Sequence, residues 1–354
     1  MSIFSVTIER LAKIWEHPNA DRLELAQLAS MTYQFVIGKG DYKVGDLVVY
    51  FPIDSVLPPP VVTALNLAGK LAGSDKNRVK TIKLRGVISQ GVVASPQVVL
   101  PDWNDGAAYV EGQDVTELLG VTKYEPPLLI GSEGELGRMP PLVSVYDIDG
   151  AERFVGEADH YLMDQPVMIS EKLEGSHFSA SLYADSEIVV CRRRYSVSAE
   201  HGWYKVAEQS GLLAKLPNLK AAIEQSLDHP IEVATVRGEI VGPGIQGNYY
   251  KLPKLQLYVF EIEADGQPVN GDLYLRLIHD FELPHAPVLT SGDPLRTWLA
   301  DRSVTDASNG KSLLNTAALR EGIVIRPMIE QRDERLGRVI LKQRSPDYLA
   351  NSDF

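Results

Sequence analysis

The most informative chemical pattern in this sequence is a lysine flanked by glutamates and followed closely by a glycine. In ISEKLEGSHFSASLY, Lys172 lies between Glu171 and Glu174, and Gly175 precedes a run that alternates apolar with small or polar residues. A free lysine amine has a pKa near 10.4, so it must lose its proton before it can act as a nucleophile. Taken alone, the pattern fits a surface turn as well as it fits a reactive amine.

Charged residues recur at the ends of strand-like runs further along the chain. The set consists of Glu239 in RGEIVGPGIQGN, Glu261 after the aromatic pair of LYVFEIEADG, Glu321 before the glycine of EGIVIRP, and Lys342 and Arg344 in VILKQRSPDYL. Alternation along a strand places Lys342 and Arg344 on one face. A structural domain has little reason to hold charges at so many strand ends, so we interpret these positions as one site.

Length and composition indicate an ordinary folded protein. The chain has 354 residues, of which 44% are hydrophobic and 23% charged, and this length predicts two domains. We see no signal peptide and no apolar stretch of the roughly 20 residues that a membrane helix needs. The single cysteine, Cys191, excludes an internal disulfide, and the seven histidines show no metal-ligand spacing. We therefore expect a cytoplasmic monomer that does not bind membranes.

The net charge of −12 argues mildly against a passive nucleic-acid coat, which would be basic overall. Two clusters are basic although the chain as a whole is acidic: KNRVKTIKLR at 76–85 and CRRR at 191–194. Either cluster could be a solvated face or part of a groove for phosphates. In CRRR, strand alternation separates Arg192 and Arg194 from Arg193.

The N-terminal part of the chain reads as short strands interrupted by glycine and proline. This pattern predicts a small β-barrel at residues 1–115, and an oligonucleotide-binding (OB) fold is a frequent barrel of this size. Residues 116–165 are rich in proline and glycine and are predicted to form a linker. Residues 166–354 are predicted to form the second domain.

The second predicted domain alternates strand-like runs with helical patterns. Strands are expected in PVMISEKLEGSHFSASLY, EIVVCRRRYSVS, IEVATVRGEIVG, LQLYVFEIEADG, GIVIRPM and RVILKQRS. Helices are expected in GWYKVAEQSGLLAKL, LPNLKAAIEQSLDH and DLYLRLIHDFEL. The fold class is therefore α+β, with mostly antiparallel sheets and flanking helices.

Five motifs, in this order along the chain, resemble those of the covalent nucleotidyltransferases. They are K-x-x-G, G-E, an aromatic strand ending in an acid, E-G-I-V-I and a terminal lysine strand. This superfamily includes the ATP-dependent RNA and DNA ligases and the mRNA capping enzymes. GEIVGPGIQGN is similar to the branch related to T4 RNA ligase 2. HPNADRLELAQL and TIKLRGVISQGVV resemble the OB domain of Naegleria- and Deinococcus-type RNA ligases. The resemblance implies an ATP-grasp-like nucleotidyltransferase domain after the barrel.

The resemblance also implies roles for the residues that match the motifs. Lys172 would attack the α-phosphate of ATP and form a lysyl-AMP intermediate, with Lys342 and Arg344 as neighbouring cations. Glu174, Glu239, Glu261 and Glu321 would hold Mg²⁺ or Mn²⁺ through the water shell that magnesium prefers to keep. The catalytic residues would be Lys172, Lys342, Glu239 and Glu321. The residues that contact ATP would be Glu171, Lys172, Arg193, Glu239, Phe260, Glu321, Lys342 and Arg344. Of these, Glu171 would read the adenine edge, Phe260 would stack on the base, Glu239 would contact the ribose, and Arg193 would touch ribose or phosphate.

Two positions depart from the family pattern. Glu174 stands where aspartate is frequent, and Arg344 stands where lysine is frequent. Arginine keeps the charge but is not a flexible point cation. His177 receives no role, and the aromatic pair of Tyr258 and Phe260 could also be plain core.

These features together predict an ATP-dependent RNA ligase that joins 3′-hydroxyl and 5′-phosphate ends through lysyl-AMP and an AMP-capped 5′ end, in nick repair. The expected partner is RNA, as a nicked duplex, as free ends or in an RNA/DNA hybrid. DNA ligases and capping enzymes usually carry an OB domain after the last lysine motif, and none is expected here. A DNA ligase or other nucleotidyltransferase, and a catalytically inactive RNA-binding protein, remain the alternatives.

Overall fold

The computed structural model describes residues 4–103, 109–124, 135–334 and 336–351 and separates the chain into two compact units. The N-terminal unit comprises Ile3–Pro127, Glu152–Gly156 and Leu349–Phe354. The C-terminal unit comprises Met1–Ser2, Leu128–Ala151 and Glu157–Tyr348. The domain boundaries drawn from the sequence at residues 115 and 165 stay a prediction.

The N-terminal unit is built on a five-stranded antiparallel sheet with the order β3-β2-β1-β4-β8, which nearly closes into a barrel. The barrel predicted from the short strands is confirmed. Its elements are β1 (Thr7–Glu16), β2 (Leu23–Leu28), β3 (Gln34–Gly38), β4 (Leu47–Phe51), β5 (Ser55–Val56), α1 (Pro59–Ala64), β6 (Ile82–Leu84), β7 (Val87–Ser89), β8 (Val92–Ala94), α2 (Pro96–Val99) and β9 (Thr122–Lys123).

Both faces of strand β4 are buried. Val49 and Phe51 pack into one apolar cluster, whereas Val48 and Tyr50 pack into another. Successive side chains of a strand point to opposite faces, so one strand can serve two apolar layers. This explains why LVVYF is continuously apolar instead of alternating.

The basic run at 76–85 is partly used for internal contacts. Arg78 forms an ion pair with Asp54 at 2.6 Å, and its guanidinium lies 3.5 Å from the ring centroid of Tyr124. The amine of Lys83 donates to a backbone carbonyl at 2.9 Å. Lys80 and Arg85, in contrast, have exposed side chains.

From residue 135 onward the chain forms a seven-stranded antiparallel sheet, β10-β15-β14-β13-β16-β17-β18, and a five-stranded sheet, β11-β23-β20-β12-β19. The strands are β10 (Glu135–Arg138), β11 (Asp149–Gly150), β12 (Pro166–Lys172), β13 (Ser176–Tyr183), β14 (Ile188–Cys191), β15 (Tyr195–Val197), β16 (Val233–Val241), β17 (Gln256–Ala264), β18 (Gln267–Pro268), β19 (Val288–Pro294), β20 (Gly322–Pro327), β21 (Arg332–Asp333), β22 (Gly337–Arg338) and β23 (Leu341–Arg344). The helices are α3 (Val155–Tyr161), α4 (Gly202–Gln209), α5 (Leu212–Leu227), α6 (Gly271–Asp280), α7 (Leu295–Leu299), α8 (Val304–Ser308) and α9 (Pro346–Asn351). Each run predicted as a strand in this part contains one, and the α+β class is confirmed.

Helix α5 covers one face of the seven-stranded sheet with a regular apolar stripe. Leu212, Leu216, Leu219 and Ile223 recur at helical spacing and are buried in the core cluster that includes Phe178 of β13. The sequence pattern predicted a break between helices near residue 216. The structure places the break at residues 210–211, because the glycine at 211 has a φ of 76°.

The motif K-x-x-G connects the two sheets. Lys172 ends β12 of the five-stranded sheet, and β13 of the seven-stranded sheet begins at Ser176. A Cβ on Gly175 would lie 2.6 Å from Cγ of Glu239 and 2.7 Å from the backbone oxygen of Ile240. The turn therefore approaches β16 too closely for any larger residue.

A second glycine contact fixes the neighbouring strands. Gly322 lies opposite Lys172 on one side and opposite Arg344 on the other. A Cβ at this position would lie 2.1 Å from the backbone oxygen of Gln343. The E-G motif thus sets how closely β20 can approach β23.

None of the helices in the described ranges is long and apolar enough to cross a membrane.

We expect Gly322→Ala to destabilise the fold, because its methyl group would force β20 away from β23. Overpacking of this kind costs about 1–3 kcal/mol of the free energy of unfolding. Thermal and denaturant unfolding of the purified protein would measure the loss. Gly202→Ala is the matched control, since a Cβ there meets open space at the start of α4, and its unfolding should be unchanged within error. Equal stability of the two variants would contradict the close contact.

Candidate active site

A cavity of about 380 Å³ opens in the C-terminal unit and is lined from both sheets. This volume falls in the range of roughly 300–1,000 Å³ that is typical of small-molecule sites. Its wall combines apolar, aromatic and charged side chains, among them Tyr146, Asp147, Met168, Glu171, Lys172, His177, Arg193, Glu239, Phe260, Val324 and Lys342. Most of the residues that the sequence singled out therefore face one space.

Lys172 lies at the end of β12, and its side chain is held by a neighbouring strand. Its Nζ forms an ion pair with Oε1 of Glu321, the residue that immediately precedes β20. The pair is partly desolvated, with 26% of the lysine side chain and 8% of the glutamate side chain exposed. The other oxygen of Glu321 is buried and has no hydrogen-bond partner among the described residues.

Three carboxylates gather beside this amine. Burial raises the pKa of Glu239 to about 8, with Lys172 opposing the shift and the negative charges of Glu321 and Glu174 adding to it. Burial also raises the pKa of Glu321, against the influence of Lys172. Glu174 accepts a hydrogen bond from the hydroxyl of Tyr348, and its backbone N–H donates to Tyr250 at 2.7 Å. The cluster therefore combines one amine with three carboxyl groups, two of which have raised pKa values.

Cations line the same cavity. Lys342 of β23 is 3.9 Å from Oδ1 of Asp147, and Arg193 is 3.4 Å from the same oxygen. Burial lowers the pKa of Lys342, with Asp147 opposing the shift and Lys172 and Arg344 adding to it. Of the run at 191–194, Arg193 lines the cavity, whereas the guanidinium of Arg192 lies 5.0 Å from the ring centroid of Trp203.

The remaining wall of the cavity is apolar and aromatic. Phe260 of β17 faces the cavity, together with Met168 of β12 and Val324 of β20. The ring of Phe260 lies 5.1 Å from that of Tyr146. A wall of this kind can hold a flat aromatic group by stacking and apolar contact.

Glu171 is buried at the cavity wall with both of its oxygens engaged. It accepts hydrogen bonds from Oγ of Ser312 at 2.9 Å and from the backbone N–H of Leu313 at 2.6 Å. Burial raises its pKa, while these hydrogen bonds and Arg320 oppose the shift. Its side chain therefore anchors the loop at 312–313, and its predicted contact with adenine stays a prediction.

Glu261 lies in a different electrostatic environment from the other three acids. It is fully buried and forms ion pairs with Arg338 at 2.6 Å and Arg326 at 3.5 Å. Tyr146 donates its hydroxyl hydrogen bond to the same carboxylate at 3.3 Å. Burial would raise the pKa of Glu261, but the arginines outweigh it and lower the pKa. Its charge is thus balanced locally, and its predicted metal role stays a prediction.

A family model described as RNA ligase matches residues 165–344, which is half of the chain, and a family model described as an OB-fold domain matches residues 5–96. The chain belongs to the RNA ligase family. The resemblance drawn from the ordered motifs is confirmed, as is the OB fold of the N-terminal barrel.

Solved RNA ligases of Naegleria gruberi are similar to this chain over nearly its whole length. A lysine-to-alanine variant with ATP and Mn is 26% identical, with 98% of both chains covered and a TM-score of 0.73. The Naegleria enzyme with pyrophosphate shows the same values. A glutamate-to-alanine variant with AMP and Mn is 25% identical, with 99% of both chains covered and a TM-score of 0.74.

A curated relative of another kind matches a shorter stretch. The phenylalanine–tRNA ligase beta subunit of Syntrophotalea carbinolica is 30% identical over 131 residues. The match covers 34% of this chain, which spans 14% of the length of that relative.

Two residues of this RNA ligase family member were missed in the sequence. Tyr146 and Asp147 line the cavity but fall in the segment that its prolines and glycines marked as a linker. A usable signal was present, since VSVYDIDG alternates apolar and acidic residues as a short strand does. The parallel pairing of β11 with β23 brings this segment to the site.

We expect Arg338→Gln to destabilise the protein, because it removes the closest partner of the fully buried Glu261 carboxylate. Breaking a buried ion pair by removal of one partner costs about 3–5 kcal/mol. Denaturant unfolding would measure the change in free energy. Arg296→Gln is the matched control, since its pair with Asp164 is more than half exposed and should be worth less than about 1 kcal/mol. Comparable losses in both variants would contradict this account.

Proposed function

We propose that the cavity is the nucleotide site of an ATP-dependent RNA ligase and that Lys172 is its covalent nucleophile. One observation carries the proposal: Lys172, which lies beside three carboxyl groups, lines a cavity of about 380 Å³ together with the cations Lys342 and Arg193. Family membership and the Naegleria structures with ATP, AMP and pyrophosphate support it.

The first step forms a bond between Nζ of Lys172 and the α-phosphorus of ATP and breaks the bond to the leaving pyrophosphate. The amine must give up a proton, and Glu321 accepts its hydrogen bond and fixes its direction. Lys342 and Arg193 are placed to offset charge on the phosphate oxygens, and Arg344 adds positive charge close to Lys342. Such transfers are accelerated mainly by positioning and charge compensation.

The nucleoside part of ATP would occupy the apolar and aromatic wall. Phe260 offers a ring for stacking on adenine, and Val324 faces the same cavity from the other sheet. Glu239 lies near the reactive lysine and would bind a ribose hydroxyl. Burial raises the pKa of Glu239, which favours the protonated form that can donate a hydrogen bond.

A divalent cation, Mg²⁺ or Mn²⁺, fits the acidic side of the cavity. Beyond the effect of burial, the charge of Glu174 raises the pKa of Glu239 and of Glu321, and an oxygen of Glu321 is buried without a partner among the described residues. Across the described ranges, no three His, Cys, Asp or Glu side chains converge closely enough to ligate an ion directly. This fits magnesium held through its own waters. When bound, the ion supplies positive charge to the phosphates.

The two later steps would transfer AMP to a 5′-phosphate and then expel it through attack by a 3′-hydroxyl. The RNA substrate is proposed to be a nicked duplex or a pair of RNA ends, with an RNA/DNA hybrid included. A monomer is proposed as the working form. The OB-fold unit is proposed to hold the RNA, since OB folds commonly bind oligonucleotides on one face.

Incubation with α-labelled ATP and Mg²⁺ or Mn²⁺ should give a covalent, acid-labile AMP adduct, and Lys172→Ala should abolish it. Lys254→Ala is the matched control, because Lys254 is an exposed lysine of the same unit and its loss should leave the adduct unchanged. Labelled GTP is tested in parallel. No adduct with either metal would favour an inactive RNA-binding protein, and a preference for GTP would favour a capping enzyme.

The paired change Lys80→Gln and Arg85→Gln should slow sealing of nicked RNA while leaving lysine adenylylation unchanged. Both side chains are exposed on the N-terminal unit, and removing cations that pair with phosphates weakens RNA binding and reduces its dependence on salt. Rates of both steps would be measured at two salt concentrations. Lys43→Gln, an exposed lysine of the same unit outside the basic run, should affect neither rate. If the paired variant seals nicked RNA at the unaltered rate, this basic run does not contribute to RNA binding.

A further inference from the structure

The loop that follows β1 holds the tip of the β6–β7 hairpin. The side-chain amide of Asn19 donates a hydrogen bond to the backbone oxygen of Arg85 at 2.9 Å, and Nε2 of His17 lies 3.1 Å from the backbone oxygen of Leu84. These residues belong to HPNADRLELAQL and TIKLRGVISQGVV, the two stretches that resemble the OB domain of RNA ligases. Neither stretch lines the nucleotide cavity, so the contact between them serves another purpose.

Both ring nitrogens of His17 take part in this contact. The residue is buried, and its Nδ1 accepts a hydrogen bond from the backbone N–H of Asn19 at 3.1 Å. An accepting Nδ1 carries no hydrogen, so Nε2 carries it and donates it to the backbone oxygen of Leu84. The ring therefore joins the loop to the hairpin.

The base of the hairpin is fixed on β3. Nε2 of Gln34 donates a hydrogen bond to the backbone oxygen of Ile88 at 2.9 Å, and the backbone N–H of Val36 donates to Oγ of Ser89 at 3.0 Å. The hairpin is thus held at both ends, with its base on β3 and its tip on the loop at 17–22. Its turn is therefore presented in one defined position.

Arg85 has a backbone conformation that arginine rarely adopts. Leu84 pairs with Val87, so Arg85 and Gly86 form the turn between them, with φ angles of 49° and 84°. Positive φ at both positions is typical of a type I′ turn, which favours asparagine, aspartate or glycine first and glycine second. Strained residues of this kind cluster at functional sites. Because Arg85 is also exposed, its side chain can reach a ligand.

The position of this turn in the barrel indicates which ligand it meets. The loop at 17–22 joins the first two strands, and the hairpin lies in the connection between β4 and β8, the last two strands of the five-stranded sheet along the chain. In OB folds these two connections contribute to oligonucleotide binding. A guanidinium presents its donors in a planar fork that matches two oxygens of a phosphate. The phosphate backbone of RNA is therefore the ligand that fits this position.

We propose that Arg85 binds a phosphate of the RNA substrate and that His17 and Asn19 are positioning residues for this contact. The inference rests on the proposed function, in which the OB-fold unit holds RNA. His17 and Asn19 act through the hairpin turn and do not themselves contact RNA.

Arg85→Asn is the central variant of the test, because it removes the cation and supplies a residue that the turn favours. Fluorescence anisotropy measures binding of the full chain to a labelled nicked RNA duplex, while lysine adenylylation and thermal unfolding are measured separately. The variant should bind RNA about three- to tenfold more weakly, as expected for the loss of one hydrogen-bonded contact. Its unfolding temperature should be unchanged or higher, and its adenylylation rate unchanged. Arg85→Lys keeps the charge but not the fork and should recover part of the affinity.

A double-mutant cycle tests the positioning role. Asn19→Ala should lose part of the affinity that Arg85→Asn loses, and it should have no further effect in the Arg85→Asn background, where no cation remains to be positioned. His17→Phe, which keeps a ring but removes both nitrogens, should behave in the same way. If thermal unfolding shows that this variant is unstable, Asn19→Ala alone decides. Gln97→Ala is the matched control, since it removes an exposed amide of α2 in the same unit and should leave RNA binding unchanged.

Undiminished RNA binding by Arg85→Asn, or a loss of affinity accompanied by a lower unfolding temperature, would overturn the inference. Equal weakening by Asn19→Ala in both backgrounds would mean that Asn19 contacts RNA itself and would overturn its positioning role. Binding that depends on Arg85, in a chain whose unaltered form makes no AMP adduct, would uphold the inference while refuting the proposed ligase reaction. An adduct without any RNA binding would overturn the inference and leave Lys172 as the nucleophile.

Discussion

The ion pair between Lys172 and Glu321 is the interaction on which the arrangement of the site depends. It joins the ends of two neighbouring strands and leaves the amine directed at the cavity. Burial raises the pKa values of Glu239 and Glu321, the negative charge of Glu174 adds to both shifts, and Lys172 opposes them. The acidic groups attract cations, while Lys342 and Arg193, which line the same cavity, attract anions. A nucleotide with a divalent cation has both kinds of charge and can satisfy both sides.

A second layer of charge supports the site from within the seven-stranded sheet. Arg237 is fully buried and forms an ion pair with Glu263 at 2.6 Å. Glu261 forms a separate ion pair with Arg338. Tyr146 connects this layer to the cavity through its bond to Glu261 and its stacking on His177. Such buried networks are costly when broken, and this one keeps the aromatic wall in a single arrangement.

The strand runs, the barrel and the gathering of Lys172, Glu239, Glu321 and Lys342 could be predicted from the sequence, because glycines and charges at strand ends leave a clear pattern. The separate environment of Glu261 could not, because its closest partner, Arg338, comes from a distant strand with no motif of its own. The helix break at residue 211 falls inside GWYKVAEQSGLLAKL, which the sequence analysis read as one helical run, and the next helix continues through Pro217. Contacts made by Tyr146 and Asp147 depend on a pairing that local sequence does not encode.

The parallel pairing of β11 with β23 has a consequence for how the protein is made. Lys342 is positioned between a strand that precedes the nucleophile and β20, which follows it by a long stretch of chain. During synthesis the strand that carries Lys342 leaves the ribosome among the last residues of the C-terminal unit. Contacts of such wide sequence separation form late and slowly. Lys342 therefore joins the pocket after Arg193, and a nascent chain halted before this strand lacks Lys342.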